Sequence, residues 1–294
     1  MQLASCKCLR SQCDRHALVL FLRFNISCFY NSRKYFMSKK STHVALCLRG
    51  AICKYGDSFV NQGGLYRHGR YTNYVSVYNS IKKHIIQSNP LCHFDVFLQG
   101  WNLDLESKMC FLYKPKKWLF EDNNIYSDDI KSRCSKIAND YSGISQALAI
   151  KKSIELIDGD YDYVILYRPD VLLWKDMLLE KYDSSKIYVN AHANANGDFH
   201  FVMNQKNAID FCGLYDSPKK GNFQQLHAWI KRYVHQFMGK NLEMDDIIPS
   251  IHQEVLRKIF KNCHIDQRIP FELFRQYGLT EEDIRNLPPK IKLL

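Results

Sequence analysis

The chain has 294 residues, 46% of them hydrophobic and 24% charged, a composition that excludes intrinsic disorder as its ground state and allows one large domain or two small ones. Its formal charge of +11 is concentrated at the start, where residues 1–40 hold eight Lys or Arg against Asp14 alone, a local +7 that leaves +4 for the rest. So mild an excess, without a cationic stripe interleaved with aromatics, excludes a single-strand nucleic-acid binder and suits a polyanionic small ligand such as a nucleotide diphosphate.

In chain order, residues 17–22 are apolar but far shorter than the ~20 residues of a membrane span, and Arg23 interrupts them. Residues 1–36 are expected to be a poorly ordered basic extension ahead of a second start at Met37, with a weak signal anchor as the alternative reading. Residues 37–294 then form a single domain with no stable membrane insertion. Eleven cysteines without paired CxxC knuckles exclude a zinc site. Their odd number, with Cys47 inside a hydrophobic run, points to reduced thiols in a cytoplasmic setting.

Residues 43–48 (HVALCL) predict a first central strand that breaks into Arg49-Gly50, and Gly56, Gly63, Gly64 and Gly69 mark a long connection. Val77, Ile81 and Ile85 predict a helix over 74–86, closed by Pro90. A second strand is predicted at 94–98 (FDVFL), a strong helix at 141–157, and a third strand at 161–170 (YDYVILYRPD). Short strands at 186–190 and 199–203 are separated by a turn-forming AHANANGD, and helices are expected at 208–215, 223–237 and 247–260. Strand and helix alternating, then shorter strands and helices, predict an α/β fold with a Rossmann-like front half and a more irregular second half.

The third strand ends in Arg168-Pro169-Asp170. Pro169 lacks an amide hydrogen and so suits a strand end, where ligands of open α/β sheets bind. A carboxylate there can hold a divalent ion and a guanidinium can pair with phosphate; the plainer alternative is that the two side chains pair with each other. Gly50 lets backbone amides approach a nucleotide, and Arg49 offers five donors to a base or phosphate, with a solvated turn as the alternative. The literal Asp-x-Asp at Asp160 and Asp162 lies at the amino end of its strand, the wrong end for a ligand, and reads as a turn with Asp158. Asp95 is expected to be buried or capped.

The segments LCLRG, FDVFLQGW, LYKPKKWLFE, SQALAIKKSIELI and YDYVILYRPDVLLW together resemble a group of GT-A-type glycosyltransferases, encoded by large DNA viruses and in bacterial surface-polysaccharide clusters. The likeness runs over roughly residues 44–259. It implies a GT-A-like fold with a mixed central sheet and an irregular helical acceptor half, a nucleotide-sugar donor and a glycan or glycoprotein acceptor. It also implies Mn2+ or Mg2+ held by Asp170, although Arg168 stands where such enzymes carry the first Asp of their metal motif. By the same resemblance the Arg49-Gly50 loop holds the nucleotide, Ser145 lies near the sugar nucleotide at a helix start, Asp198 in the 191–200 turn is the general base, and Glu243, Asp246 and His252 are acceptor-side or base residues, with Asp246 the second catalytic candidate. On residue type alone, Glu243, Asp245 and Asp246 are helix caps, and His192 and His200 are surface or core histidines.

The leading expectation is therefore a sugar-nucleotide-dependent transferase, in host cytoplasm if viral. It requires Arg168 and Asp170 to project together into an open crevice, and substitution of either to abolish turnover without unfolding the chain. The alternatives are a catalytically silent nucleotide- or glycan-binding module, and a metal-dependent nuclease using Asp158, Asp160 and Asp162.

Overall fold

A computed structural model describes residues 41–52, 54–55, 70–71, 74–134, 140–173, 175–192, 195–217, 225–245 and 250–251. The expected extension 1–36, Asp246 and His252 lie outside the described residues, as does the expected helix 247–260 apart from residues 250–251, which form a strand and not a helix. In chain order the elements are β1 (Thr42–Leu48), β2 (Lys54–Tyr55), β3 (Arg70–Tyr71), α1 (Tyr74–Ile81), β4 (Cys92–Gly100), α2 (Glu106–Tyr113), β5 (Lys117–Phe120), α3 (Ser127–Arg133) and α4 (Tyr141–Glu155). There follow β6 (Tyr163–Tyr167), β7 (Val171–Leu172), β8 (Ile187–His192), β9 (Ala195–Met203), α5 (Gln205–Phe211), α6 (Gly213–Asp216), α7 (Leu226–Gln236), β10 (Leu242–Asp245) and β11 (Ser250–Ile251).

The expected α/β class and mixed sheet are what the chain adopts. A seven-stranded sheet runs in the order β10-β8-β9-β6-β1-β4-β5. β1 pairs in parallel with β4 and β6, β4 with β5, and β8 with β10, while β9 is antiparallel to both neighbours. Six strands thus point one way, and their carboxyl ends gather along one edge.

β1 and β6 are continuous apolar runs because both of their faces are covered, as parallel strands inside a layered sheet require. On one face Ala45, Cys47, Val164 and Leu166 pack against Ile144, Leu148 and Ile154 of α4 and Trp229 and Ile230 of α7. On the other, Leu46, Leu48, Ile165 and Tyr167 meet Val77 and Ile81 of α1 and Met109 of α2. Cutting any of the fully buried leucines back to alanine costs about 2–5 kcal/mol.

Several boundaries differ from expectation for identifiable reasons. The first helix is α-helical only to Ile81 and continues as a π-helix over Lys82–Gln87. Asn204 caps α5 by accepting from Asn207 N at 2.8 Å, so that helix starts before residue 208 and gives way at Cys212 to the separate α6. Glu243 and Asp245 belong to β10, an edge strand, and not to a helix cap: pairing with β8 overrides the weak strand propensity of acidic residues. α2, α3 and β5 carry little hydrophobic periodicity and were not expected; β5 is a half-exposed edge strand. No described helix is long and apolar enough to cross a membrane. Cys47, Cys92, Cys110, Cys134 and Cys212 are free thiols.

Candidate functional site

Buried polar side chains concentrate at the carboxyl-terminal edge of the sheet. Arg49 follows β1, Gln99 lies near the end of β4, Asp170 lies beyond β6, Asn190 sits on β8, Asp198 and His200 on β9, and Asp245 at the end of β10, all of them buried. Burying so many polar groups is costly unless each is bonded, so their partners define the site.

Arg49 is 1% exposed. Its backbone N donates to Tyr167 O at 3.0 Å, its Nη2 donates to the backbone O of Asp198, and its guanidinium lies 5.6 Å over the Phe201 ring. Burial pushes its pKa down to about 10; Asp198 pulls it back up, Arg168 presses it down, and Asp170 again raises it. The group stays cationic at neutral pH, but it is an internal strut and not the solvated turn residue weighed as the alternative. Gly50 has φ +94° and its N donates to Gln99 Oε1 at 2.9 Å, so glycine is required for conformation and the amide is already engaged.

Asp170 does not project into an open crevice. Arg168 Nε donates to Asp170 Oδ1 at 3.0 Å and Nη2 to Oδ2 at 2.9 Å, a two-pronged pair in which Asp170 is 0% exposed. The expectation of a carboxylate projecting towards a diphosphate is corrected. Pro169 turns the chain so that the two side chains meet, and Asp170 orients Arg168. The guanidinium, 16% exposed, lies 5.3 Å over Phe199 and sends Nη1 to Asp198 Oδ2 at 3.4 Å.

Asp198 owes its place to an irregularity. Val189 pairs with Phe201, yet Ala191 pairs with Asn196, so β9 carries a bulge containing Gly197, Asp198 and Phe199, where an ordinary turn was expected. Bulges of this kind re-aim side chains beside functional sites. Asn190 clamps it: its Oδ1 accepts from Phe199 N at 2.9 Å and His200 N at 3.2 Å. Beyond the bulge, fully buried His200 stacks on Tyr167 with ring centroids 6.3 Å apart and places Nε2 3.1 Å from Asp245 Oδ2, which also accepts from Tyr182 Oη. His200 is a core histidine.

A cavity of about 470 Å³ opens here, within the usual ~300–1,000 Å³ range of small-molecule sites. Its walls are the start of α4 (Asp140, Ser142, Gly143, Gln146), the start of α7 (Gln225, Leu226, His227) and Asp198. Asp140 ties the two helices together: Oδ1 accepts from Gly143 N at 2.8 Å and Oδ2 from Leu226 N at 3.1 Å. Of the expected site residues that are described, only Asp198 lines this cavity. Ser145, although it lies between Gly143 and Gln146 on α4, does not; it is buried and its Oγ accepts from Asn123 Nδ2 at 3.0 Å. Lys151 and Lys152 of the same helix pair with Asp216 and Glu121.

At the opposite edge, Asp162 accepts from His43 N at 2.9 Å and Asp158 pairs with Lys116 and Lys117, while Asp160 is exposed, so the three carboxylates form no nuclease cleft. Asp95 is held by Tyr161 Oη at 2.7 Å and Lys116 Nζ at 3.3 Å. No group of three His, Cys, Asp or Glu able to hold a metal occurs among the described residues, and Asp170 has both oxygens on Arg168. The described residues around Asp170 do not fit the expected Mn2+ or Mg2+ site.

Sequence reasoning passed over Asp140, Gln99 and Asn190. Asp140 had a legible mark, a carboxylate immediately before an apolar-periodic run. Asn190 had none, because its role depends on a bulge with no pattern of its own.

No protein-family model matches the chain, and no curated protein does. Among solved structures it is similar to mouse xyloside xylosyltransferase 1, with 8% identity over 70% of this chain and 85% of that one and a TM-score of 0.36. It is also similar to the 4-diphosphocytidyl-2C-methyl-D-erythritol synthase of Anaerococcus prevotii DSM 20548, with 9% identity over 74% of this chain and 93% of that one and a TM-score of 0.41. At this distance neither alignment bears on chemistry, which rests on the residues themselves.

Proposed function

We propose that the chain is a glycosyltransferase of GT-A-like fold, moving a sugar from a nucleotide-sugar donor to a hydroxyl of a glycan or glycoprotein in a cytoplasmic setting. The observation that carries this reading is Asp198, a carboxylate lifted by a bulge onto the ligand-binding edge of a mixed α/β sheet, lining a cavity and touching Arg168. In the reaction, Asp198 accepts the proton of the acceptor hydroxyl while the hydroxyl's own oxygen bonds to the anomeric carbon. The bond from that carbon to the diphosphate breaks, and the electron pair leaves with the nucleotide diphosphate. Arg168, oriented by Asp170, supplies positive charge where the leaving group gains negative charge. Arg49 braces Asp198 from behind through its backbone carbonyl. No step is assigned to a metal.

A second reading, the silent binding module, draws on the Arg168 and Asp170 pair, since a carboxylate sealed by its neighbour is not offered to a ligand. One experiment separates the two. The protein is titrated calorimetrically with a panel of sugar nucleotides, with and without Mn2+, and release of nucleotide diphosphate is followed. Release that disappears in Asp198→Asn supports the transferase; binding without release supports the module; no binding of any donor overturns both.

A further inference from the structure

The sheet ends on β5, which has no second neighbour among the described strands. In its parallel pairing with β4, Lys117 lies opposite Phe97 and Phe120 opposite Gly100, and Glu121 N donates to Gly100 O at 3.1 Å. Backbone groups alternate sides along a strand, so the odd-numbered residues of β5 bond to β4. Lys116, just ahead of the strand, adds a bond of its own from N to Val96 O at 2.8 Å. The N–H and C=O of Trp118 and Phe120 therefore point away from the sheet. Trp118 is 50% exposed and donates Nε1 to Glu106 of α2 at 3.0 Å, and α2 itself carries Phe111, 79% exposed.

Lysine on an edge strand ordinarily blocks pairing with another chain, and Lys116 and Lys117 taken alone would do so. The residues after them change that. The run Lys116-Lys117-Trp118-Leu119-Phe120-Glu121-Asp122 is self-complementary about Leu119. Laid antiparallel against a second copy, Lys116 meets Asp122, Lys117 meets Glu121, Trp118 meets Phe120, and Leu119 meets itself. Opposite charges and aromatic pairs directly across two strands stabilise them, whereas like charges repel. The backbone agrees with this register, because it sets the outward-facing Trp118 and Phe120 opposite one another as hydrogen-bonded pairs, and a shift of one residue would lose those bonds. Lys116 and Lys117 are 42% and 48% exposed while touching Asp158, which leaves both accessible to a neighbour. The other end of the sheet lacks this property: β10 carries Glu243 and Asp245 and no base, so pairing with its own copy would set acid against acid.

We propose that the chain forms a two-fold dimer through antiparallel pairing of β5 with β5 of a second copy, centred on Leu119, joining two seven-stranded sheets into one continuous sheet. The axis stands perpendicular to the sheet, so α2 of each copy lies on the same face, one on either side of it. Strands this short bury less than the ~1,200 Å² of a stable interface, and the two α2 helices with Phe111 and Trp118 supply the added apolar surface. The contact is isologous and closes on itself. It uses no residue of the candidate site, so it stands whether or not the chain is a transferase.

The test uses the full chain, with sedimentation velocity over a range of protein and salt concentrations. The expected result is a reversible dimer that salt weakens. Lys117→Glu and Glu121→Lys, each checked for folding by circular dichroism, should each weaken self-association about tenfold, since either one turns two opposite-charge pairs into like-charge pairs. An equal mixture of the two variants should form dimers again, because every exchanged charge then faces its opposite. In an otherwise native chain, Leu119→Cys should cross-link to its own copy under mild oxidation that leaves the wild type uncross-linked, the two positions facing each other across the axis. Should either charge variant fail to fold, that cross-link decides alone. A monomer at every concentration, a dimer indifferent to both charge substitutions, folded variants whose mixture stays apart, or no cross-link at Leu119 overturns the proposal. So does a monomer whose Trp118 amide is protected from hydrogen exchange, since the edge is then covered by the chain itself.

Discussion

The side-chain amide of Asn190 lies so close to Gly197 that a Cβ on the glycine would fall 1.9 Å from Asn190 Nδ2. The missing side chain is what lets Asn190 reach across and hold Phe199 N and His200 N, fixing the bulge that carries Asp198. Gly197→Ala is therefore expected to displace Asn190 and destabilise the protein by about 1–3 kcal/mol, as overpacking of a filled interior does. Ligand binding at the cavity should weaken along with it. Urea unfolding together with sugar-nucleotide titration checks this; an alanine variant with unchanged stability would mean that the bulge holds itself.

The pairing of Arg168 with Asp170 reverses the expected outcome of a simple substitution. Asp170→Ala leaves a largely buried guanidinium without its two-pronged partner and should cost about 3–5 kcal/mol of stability, in contrast to the sequence expectation of an intact fold. Replacing both residues with apolar ones, Arg168→Met with Asp170→Leu, should recover most of the loss, because the penalty lies in a buried charge that has lost its two-pronged partner. Denaturant unfolding of the two variants decides it. Equal destabilisation in both would mean that other partners carry the energy.

The central strands and α4 were legible because burial imposes a periodicity on the sequence: HVALCL and YVILY read as strands since both faces are covered, and α4 because its apolar positions repeat on one side. β10 was not, since LEMD reads as a helix cap until the backbone of β8 pairs with it. The same split runs through the site. The edge of the sheet followed from strand order, which placed Arg49, Arg168 and Asp170 there, whereas Asp198 was pointed to by the resemblance to GT-A-type enzymes. Whether a side chain there faces a ligand or a neighbour depends on register and bulges, which is why Asp170 proved sealed and Asp198 accessible to the cavity.

Acid should probe the far end of the sheet. Burial raises the Asp95 carboxyl, but the hydrogen bonds from Tyr161 and Lys116 outweigh it and hold the group below the usual carboxylate range. With the folded value depressed, the unfolded chain binds more protons near and below the ordinary aspartate value of about 3.9, so stability falls as pH drops through that window. Above it the contribution of Asp95 is fully present. Asp95→Asn should thus lower stability at pH 6 while making the decline between about pH 4 and pH 2 shallower. Unfolding free energies measured across that range check the slope; parallel curves for the two proteins would remove Asp95 from the acid response.

Gly50 isolates backbone strain from packing. A Cβ placed there meets nothing within 4 Å, yet φ is +94°, a conformation that costs an ordinary residue about 1–2 kcal/mol. Gly50→Ala should lose about that much stability. The loss cannot come from a clash, so it measures the strain of holding Gly50 N on Gln99 Oε1. Gly50→Asn should lose less, because asparagine enters positive φ more readily. If alanine and asparagine are equally costly, the left-handed conformation is not what glycine supplies at this turn. If neither costs anything, the loop after β1 relaxes without disturbing the Gly50 to Gln99 bond, and Arg49 is held by Tyr167 and Asp198 alone.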